Sequence, residues 1–375
     1  MKIEQVKLQQ LQVPLKAPFE TSFRRMVDKD FILVSVYGGG EVGYAESVAM
    51  TIPVYNEETT ETIWYMLETF LIPQLFASKI THPDNVSELF APLRRNHMAK
   101  AALEMAVWDL YAKQQGMSLA HALGGQKKTI DVGVSIGIEP SVDHVLQNVE
   151  RFLAEGYKKI KVKIKPGFDL EVIKAIRERF GADVPLMADA NSAYSLSDLP
   201  LLKELDQYDL IMIEQPLAHD DIIDHAKLQR ELKTPICLDE SIHTIVDVEK
   251  AIELGSCKII NIKVGRVGGL TEAKKMHDLC QKHGIPVWCG GMLEMGVGRA
   301  HNIALTSLDN FTIPGDTSAS DRYWLEEIVE PEVKLAAPGM LAVPTGLGIG
   351  YSVNEEKVKK FQVREASFHP ATLFA

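Results

Sequence analysis

The sequence predicts an α/β protein in which a parallel barrel follows an N-terminal α+β unit. Three observations support this fold class. From Thr129 onward, short apolar runs alternate with amphipathic helical segments, and ionisable residues end several of those runs at a regular interval. Before Thr129, strand-like and helical segments are mixed without this alternation. Repeated βα units produce such a rhythm, whereas a β-sandwich shows one strand after another.

The N-terminal unit is expected to contain strands at residues 2–12 and 31–37 and helices at 57–76 and 98–116. The strands follow from alternation and an apolar run, and the helices from apolar residues at helical spacing. From Leu341 onward, LAVPTGLGIGYSVN breaks the barrel rhythm and predicts a return across the N-terminal unit. Between these parts lie eight predicted barrel runs: VGVSIG, KIKVKI, VPLMADA, LIMIEQP, TPICLDE, KIINIKV, IPVWCGG and NFTIPGD.

Composition excludes several classes of protein. The chain has 375 residues, of which 46% are hydrophobic and 24% charged, a balance typical of globular proteins. Its 40 Lys and Arg against 51 Asp and Glu give a net charge of −11, so neither nucleic acid nor an anionic membrane is an expected partner. No window reaches the roughly 18 apolar residues of a membrane span, and the start, MKIEQVKLQQ, has no apolar signal core. The four cysteines lack zinc-site spacing, so we expect a cytoplasmic protein with reduced thiols.

Ionisable side chains end five consecutive barrel runs. They are Lys163, Asp189, Glu214, Asp239 and Lys263, at successive distances of 26, 25, 25 and 24 residues. This interval matches one βα unit, so the five groups are expected at the C-terminal ends of adjacent strands. That end of a parallel barrel carries the active site in barrel enzymes.

The three carboxylates predict a metal site. A carboxylate at the end of a buried strand must be paired, hydrogen-bonded or bound to metal, and oxygen ligands suit Mg²⁺ or Mn²⁺ better than zinc. One alternative is a Lys–Asp–Glu salt-bridge network without metal, and another is a chance spacing. A Schiff-base aldolase, which also uses a strand-end lysine, is the enzymatic rival, but it does not explain three carboxylates between two lysines.

These strand-end motifs, taken as a set, resemble the enolase superfamily and its muconate-lactonizing group. The resemblance covers essentially the whole chain. It implies a modified (β/α)7β TIM-like barrel at residues 126–340 and an α+β capping domain at residues 1–125, joined by the C-terminal return at about 341–375. The motifs that carry it are Lys161-Val-Lys163, Asp189-Ala-Asn191, Glu214-Gln215-Pro216, Asp239-Glu240-Ser241 and Lys263 with Gly268-Gly269.

The resemblance also implies roles for individual residues. Asp189, Glu214 and Asp239 would bind one divalent metal ion, with Mg²⁺ expected and Mn²⁺ or Co²⁺ as alternatives. Lys163 and Lys263 would be the acid/base pair, and Lys161 would help to hold the substrate carboxylate. Nearby positive charge is expected to depress the pKa of both catalytic lysines, so that a neutral amine acts as base near pH 7.

Residues farther from the strand ends indicate a subgroup. The segment CGGMLEMGVGRA at residues 289–300 and the stretch from Lys263 to Arg266 resemble the o-succinylbenzoate synthase/N-acylamino acid racemase subgroup. Lys263 is unlike the His–Asp pair of mandelate-type racemases, and residues 314–318 lack the Asp-x-Asp of dipeptide epimerases. The resemblance implies a lyase that dehydrates its substrate through an enediolate in menaquinone biosynthesis. Racemisation of N-succinylamino or N-acylamino acids, alone or as a second activity, is the alternative, and a non-catalytic carboxylate-binding barrel is a remote one.

Outer residues complete the expected site. Ser135, Asn191, Gly291 and Met292 are expected to contact substrate, although Gly291 and Met292 are also explained by barrel packing. Arg266 is expected to support Lys263 by lowering its pKa; the alternative is an ion pair with an acid on the following helix.

Two loops and two further side chains are less certain members of the site. The loops at residues 19–23 and 50–52 are expected to close over the substrate, with ordinary surface loops as the alternative. Tyr323 and Glu294 are each as readily explained by structural roles. The expected partner is a small carboxylate, and we expect a homo-oligomer.

Overall fold

A computed structural model describes residues 1–370 of the chain. Its strands are β1 (Gln5–Glu20), β2 (Arg25–Gly38), β3 (Glu41–Glu46), β4 (Thr129–Asp131), β5 (Val134–Ile136), β6 (Ile160–Lys163), β7 (Leu186–Asp189), β8 (Ile213–Glu214), β9 (Ile236–Leu238), β10 (Ile259–Asn261), β11 (Val287–Trp288), β12 (Val329–Glu330), β13 (Met340–Ala342), β14 (Ser352–Val353) and β15 (Gln362–Phe368).

The α-helices are α1 (Thr60–Met66), α2 (Ile72–Ala77), α3 (Asp84–Phe90), α4 (His97–Gln114), α5 (Leu119–Leu123), α6 (Val142–Ala154), α7 (Leu170–Phe180), α8 (Leu199–Glu204), α9 (Ile223–Glu231), α10 (Ile245–Leu254), α11 (Leu270–Lys282), α12 (Gly296–Thr306) and α13 (Glu355–Phe361). Short 3₁₀ turns occur at Leu196–Asp198, Leu205–Tyr208 and Ser320–Arg322.

The N-terminal sheet is antiparallel, with strand order β15-β1-β2-β3. β1 and β2 extend beyond the predicted strands as a long ribbon, and the register shifts between Pro14 and Phe19. Beyond this irregularity, Phe19 pairs with Met26 and Glu20 with Arg25, directly before the hairpin turn. A bulge increases the local twist and bend of a strand pair. The ribbon thereby presents its tip, the predicted 19–23 loop, at the mouth of the barrel.

The helix predicted at residues 57–76 is present but is not a regular α-helix throughout. A π-helical turn at Leu67–Leu71 separates α1 from α2. Pro73 stands at the start of α2 and has no N–H with which to bond the preceding turn. The wider π turn directly before it accommodates this missing donor. The helix predicted at 98–116 is α4, which is buried on almost all sides between the N-terminal sheet and the barrel helices.

The predicted parallel barrel is confirmed. Its strands follow the order β5-β6-β7-β8-β9-β10-β11, each parallel to its neighbour. The eighth predicted run, NFTIPGD, does not form a regular strand. It closes the barrel through single bridges, from Phe311 to Val287 on one side and from Gly315 to Val132 on the other. Pro314 lies between the two bridges and has no N–H to donate to a ladder, which accounts for the interrupted pairing.

Apolar side chains fill the barrel below the strand ends. A separate cluster of fully or almost fully buried residues packs inside it: Met187, Met212, Cys237, Ile259 and Trp288. The four cysteines are buried and free. In the described part of the chain, no helix is both long enough and apolar enough to cross a membrane.

β15 returns to the N-terminal sheet and pairs with β1, while residues 371–375 of the predicted return lie outside the described residues. The precise domain boundaries stay a prediction.

Candidate active site

The five ionisable residues predicted at the strand ends lie together. Lys163 ends β6 and stands opposite Asp189, which in turn pairs with Glu214 at the end of β8. Asp239 directly follows β9, and Lys263 lies two residues beyond β10. All five are buried. The regular spacing therefore located the same end of five neighbouring strands.

Two lysines of β6 share the carboxylate of Asp189. Because side chains alternate along a strand, Lys161 and Lys163 point to the same side of β6. The Nζ of Lys163 lies 2.6 Å from Asp189 Oδ2 and donates to Asn191 Oδ1 at 2.7 Å. The Nζ of Lys161 lies 3.2 Å from both Asp189 Oδ2 and Glu214 Oε2. Lys161 also forms an ion pair with Asp316, on the segment that closes the barrel.

Asp239 joins three groups on the opposite side of the barrel mouth. Its Oδ2 is 2.8 Å from Lys263 Nζ, and its Oδ1 accepts from the Tyr55 hydroxyl at 3.3 Å. Arg266 forms an ion pair with the same Oδ1. The hydroxyl of Tyr55 is also 3.2 Å from Lys263 Nζ. The N-terminal domain therefore contributes a side chain that contacts Lys263 directly.

Amide side chains orient the carboxylates. Asn261 donates to Glu214 Oε1 at 2.7 Å, and Asn191 donates to Glu240 Oε1 at 2.9 Å. Gln215 accepts from the backbone N–H of Asp239 at 3.0 Å. Asn191 and Gln215 have positive φ angles of 42° and 38°, a conformation uncommon outside glycine. Strained residues that cluster at strand ends are typical of functional sites, where neighbouring contacts maintain the strain.

Lys163 and Lys263 have pKa shifts of opposite sign. Burial is the largest influence on Lys163 and lowers its pKa, although the Asp189 carboxylate opposes that effect. Burial also acts to lower the pKa of Lys263, but Tyr55 and the carboxylates of Glu240 and Glu214 outweigh it and raise the pKa. The expectation of two depressed pKa values is therefore wrong for Lys263. In the chain by itself, Lys163 is the more readily neutralised amine and Lys263 the persistent cation.

Arg266 does not have the environment that either expectation described. It pairs with Asp239, on the preceding strand, and not with an acid on α11. Its guanidinium also donates to the carbonyls of Ile242 and Asn261, both at 2.6 Å. The pKa of Lys263 is raised, not lowered. Arg266 therefore fixes the carboxylate that Lys263 also binds.

The carboxylates are paired with lysines, as in the alternative network without metal. Among residues 1–370, no group of three or more His, Cys, Asp and Glu side chains is arranged to hold a metal ion. The donor chemistry nevertheless suits a hard cation. Burial and the neighbouring Asp189 raise the pKa of Glu214, and burial raises that of Glu240. The Oε2 of Glu240 is buried without a hydrogen-bond partner among the described residues. Buried carboxylate oxygens of this kind fit Mg²⁺ or Mn²⁺.

A cavity opens above the strand ends. The empty space within it is about 920 Å³, a figure that includes open solvent at its mouth. The predicted residues Ser135, Asn191, Gly291 and Met292 line it. The Oγ of Ser135 is buried without a hydrogen-bond partner in the described chain, so it is available to a ligand. None of the three carboxylates Asp189, Glu214 and Asp239 lines the cavity, and neither does Arg266.

The N-terminal domain forms the roof of this cavity. Residues from both predicted loops line it, including Phe19, Phe23 and Met50. Arg24 donates to Thr51 Oγ1 at 3.1 Å and so connects the two loops. Tyr323 and Glu294 also line the cavity. For both residues the sequence had left a role in the site and a purely structural role open.

Sequence reasoning missed several charged or polar residues of the site, among them Lys29, Tyr55, Arg299 and Asp316. Lys29 and Tyr55 come from the N-terminal domain, where no periodic pattern marks them. The sequence analysis considered Asp316 only because its segment lacks an Asp-x-Asp pair. An acidic residue at the end of the closing segment is nevertheless itself a sign of a site residue. Its carboxylate forms ion pairs with Lys161 and, at 3.2 Å, with the fully buried Lys159.

Comparison with known proteins agrees with this geometry. Residues 3–124 match the N-terminal domain of mandelate racemase/muconate lactonizing enzymes, and residues 144–357 match the enolase C-terminal domain-like family. The chain is 59% identical over 368 residues to an o-succinylbenzoate synthase from Geobacillus kaustophilus, covering 98% of each. It is 51% identical over 350 residues to an N-succinylamino acid racemase from Thermus thermophilus, covering 93% of this chain and 94% of the relative.

A solved structure supports the same assignment. A member of the enolase superfamily from Listeria innocua superimposes with a TM-score of 0.95 at 46% identity, covering 99% of this chain and 100% of the other. Members of this superfamily bind a divalent metal ion. With both domains matched and relatives of this identity along nearly the whole length, the chain belongs to the mandelate racemase/muconate lactonizing enzyme family of the enolase superfamily.

Proposed function

We propose that the chain is an o-succinylbenzoate synthase, which dehydrates a succinyl-hydroxycyclohexadiene carboxylate in menaquinone biosynthesis. The observation that carries the proposal is the placement of Lys163 and Lys263. They end the second and sixth strands of an eight-segment barrel and line one cavity, with acidic residues ending the strands between them. The Geobacillus relative that bears this name shares 59% identity with the chain.

Lys163 is the proposed base. Its buried amine has a lowered pKa, so less free energy is needed to remove its proton before it accepts the α-proton of the substrate. After abstraction, the resulting ammonium is positioned to return that proton to the departing hydroxide on the same face. One residue then serves as base and acid, and the products are the aromatic acid and water.

Lys263 is proposed to remain cationic on the other face during dehydration. Its pKa is raised, in agreement with a role that requires charge and not proton transfer. Lys161, whose pKa is also raised because Asp316 and Glu214 outweigh burial, would bind the substrate carboxylate. Both ammonium groups would stabilise the negative charge that develops as the enediolate forms.

Asp189, Glu214 and Asp239 are the proposed metal ligands, and Mg²⁺ is the proposed ion. A bound divalent cation at this position would supply additional positive charge to the enediolate. The lysines now paired with Asp189 and Asp239 would move from these oxygens toward the substrate. Ser135, Asn191, Gly291 and Met292 are proposed to contact the substrate, since all four line the cavity. Gly291 and Met292 would hold the carbonyl of its acyl or succinyl group.

N-succinylamino acid racemase is the second candidate, alone or as a second activity. The specific observation in its favour is that amines lie on both sides of one cavity, since racemisation requires an acid and a base on opposite faces. The Thermus relative, at 51% identity, bears that name. A non-catalytic barrel that binds carboxylates is the candidate from a different class.

One assay of the purified protein distinguishes these functions. Turnover of the cyclohexadiene substrate and of an N-succinylamino acid is measured before and after exhaustive chelation, and again with Mg²⁺ or Mn²⁺ restored. Dehydration that is lost with chelation and regained with Mg²⁺ supports the proposal. Full activity in excess chelator contradicts the metal site. Binding of either acid without turnover would favour the non-catalytic barrel, and a borohydride-trapped adduct on Lys163 or Lys263 would favour an aldolase.

A further inference from the structure

Lys29 connects the N-terminal domain to the floor of the cavity. It belongs to β2, yet its Nζ donates to the backbone carbonyls of Met292 and Leu293 in the loop that follows β11, at 2.9 and 2.8 Å. The side chain is buried, with 7% of its surface exposed, and it lines the same cavity as the two catalytic lysines. A lysine this deeply buried requires compensating partners.

Two acids provide part of that compensation. Glu46 on β3 and Glu294 in the barrel loop act to raise the pKa of Lys29, although burial outweighs them and the pKa is lowered. These acids also bind the loop itself. Glu294 Oε2 accepts from the Met292 N–H at 2.8 Å, and Glu46 Oε2 accepts from the Met295 N–H at 3.0 Å. Lys29 is therefore part of a buried charged cluster built around the segment from Met292 to Met295.

The conformation of this segment explains why such a cluster is needed. Leu293 has a φ of 58°, in the left-handed region that L side chains rarely adopt. The carbonyls of Met292 and Leu293 belong to the two peptide planes on either side of the Leu293 Cα. Because Lys29 binds both, it fixes the two planes that define this turn. Gly291, directly before it, packs so closely that an added Cβ would lie 2.9 Å from the Asp316 carbonyl.

We propose that Lys29 is a positioning residue for substrate binding, which holds the turn from Gly291 to Leu293 where it meets the acyl part of the substrate. This inference rests on the proposed function, in which Gly291 and Met292 contact that acyl group. Lys29 acts through the backbone carbonyls of the turn and not by contact with the reacting atoms. It also makes the shape of the cavity depend on the packing of the N-terminal domain against the barrel.

The test compares Lys29→Met with a matched control, Lys127→Met. Lys127 also donates to two backbone carbonyls, those of Phe311 and Thr306 at 2.7 and 3.4 Å, but it does not line the cavity. Three measurements are made: KM and kcat for the cyclohexadiene substrate, the same constants for N-succinyl and N-acetyl forms of one amino acid, and the Kd of o-succinylbenzoate by calorimetry.

Loss of the two charged hydrogen bonds in Lys29→Met is expected to raise KM and the product Kd by about tenfold or more, with a smaller change in kcat. The increase should be alike for N-succinyl and N-acetyl substrates, because the turn and not the distal carboxylate is displaced. Lys127→Met should leave KM and Kd near the wild-type values even if both variants lose similar thermal stability.

Three results would overturn the inference. An increase confined to the succinyl substrate would mean that Lys29 binds the distal carboxylate directly. An unchanged KM with lowered stability would leave only a structural role. If Lys29→Met does not fold, Lys29→Arg replaces it: the retained charge preserves the cluster, but the larger guanidinium displaces the turn, so wild-type KM in that variant would contradict positioning. A wild-type protein without turnover contradicts the proposed function instead, so the two failures are distinguishable.

Discussion

Replacing Asp316 by asparagine removes the only anion that Lys159 pairs with among the described residues. Both side chains are buried, and Lys159 Nζ lies 3.4 Å from the centre of the Trp288 ring. Lys161 retains Asp189 and Glu214 as partners, so the unpaired charge falls on Lys159. Loss of one partner of a buried ion pair costs about 3–5 kcal/mol.

This cost converts to a melting-temperature shift. For a chain of 375 residues that unfolds cooperatively, the unfolding entropy is about 0.8 kcal/mol per kelvin, so Asp316→Asn should lower Tm by roughly 4–6 °C. The assay is calorimetry together with urea unfolding. The double variant Lys159→Met/Asp316→Asn removes the unpaired charge and should recover at least half of the loss. A single variant with wild-type stability, or a double variant less stable than the single one, would refute the reasoning.

Three further predictions concern pH, the cavity floor and the support of Asp239. Burial raises the pKa of Glu58 to about 7 from an ordinary value of 4.5, so the folded chain binds this proton more tightly than the unfolded chain does. The free energy of unfolding should therefore fall as the pH rises between these two values. Glu58→Gln should reduce that slope in urea unfolding measured at about pH 5 and pH 8, and an unchanged slope would contradict the assignment. Gly291→Ala should raise KM about tenfold, because the new Cβ meets the Asp316 carbonyl at 2.9 Å; a wild-type KM would show that the turn has room. Arg266→Gln should raise the Mg²⁺ concentration required for half-maximal dehydration, because Asp239 loses the guanidinium that fixes its carboxylate and keeps only Lys263; an unchanged requirement would contradict this role.

The sequence predicted the features that repeat with the barrel. Lys163, Asp189 and Glu214 end runs that lie one βα unit apart. This spacing places the three side chains together, regardless of the conformation of the loops between the runs. The eighth run was predicted as a strand because its apolar pattern matches the others. Pro314 interrupts its pairing because it lacks a backbone N–H. The pattern of apolar residues does not reveal the loss of a single backbone donor.

Contacts between the two domains were not predictable in the same way. Tyr55 reaches the site from a loop of the N-terminal domain and Lys29 from a strand. No repeat in the sequence relates these two positions to the barrel strands. The pKa of Lys263 illustrates the consequence. The sequence predicts that positive neighbours lower this pKa, but Tyr55 of the N-terminal domain and the carboxylates of Glu240 and Glu214 raise it.

Hydrogen exchange at the α-carbon of an N-succinylamino acid in deuterium oxide tests the central claim, which is that Lys163 and Lys263 act from opposite faces. Lys163→Ala should exchange only one enantiomer through Lys263, and Lys263→Ala only the other through Lys163, with racemisation lost in both. Dehydration should be eliminated in Lys163→Ala and weakened about 10²–10³-fold in Lys263→Ala, as for the loss of one electrostatic contact. Exchange of the same enantiomer by both variants would contradict the opposed placement of the lysines and the roles assigned to them.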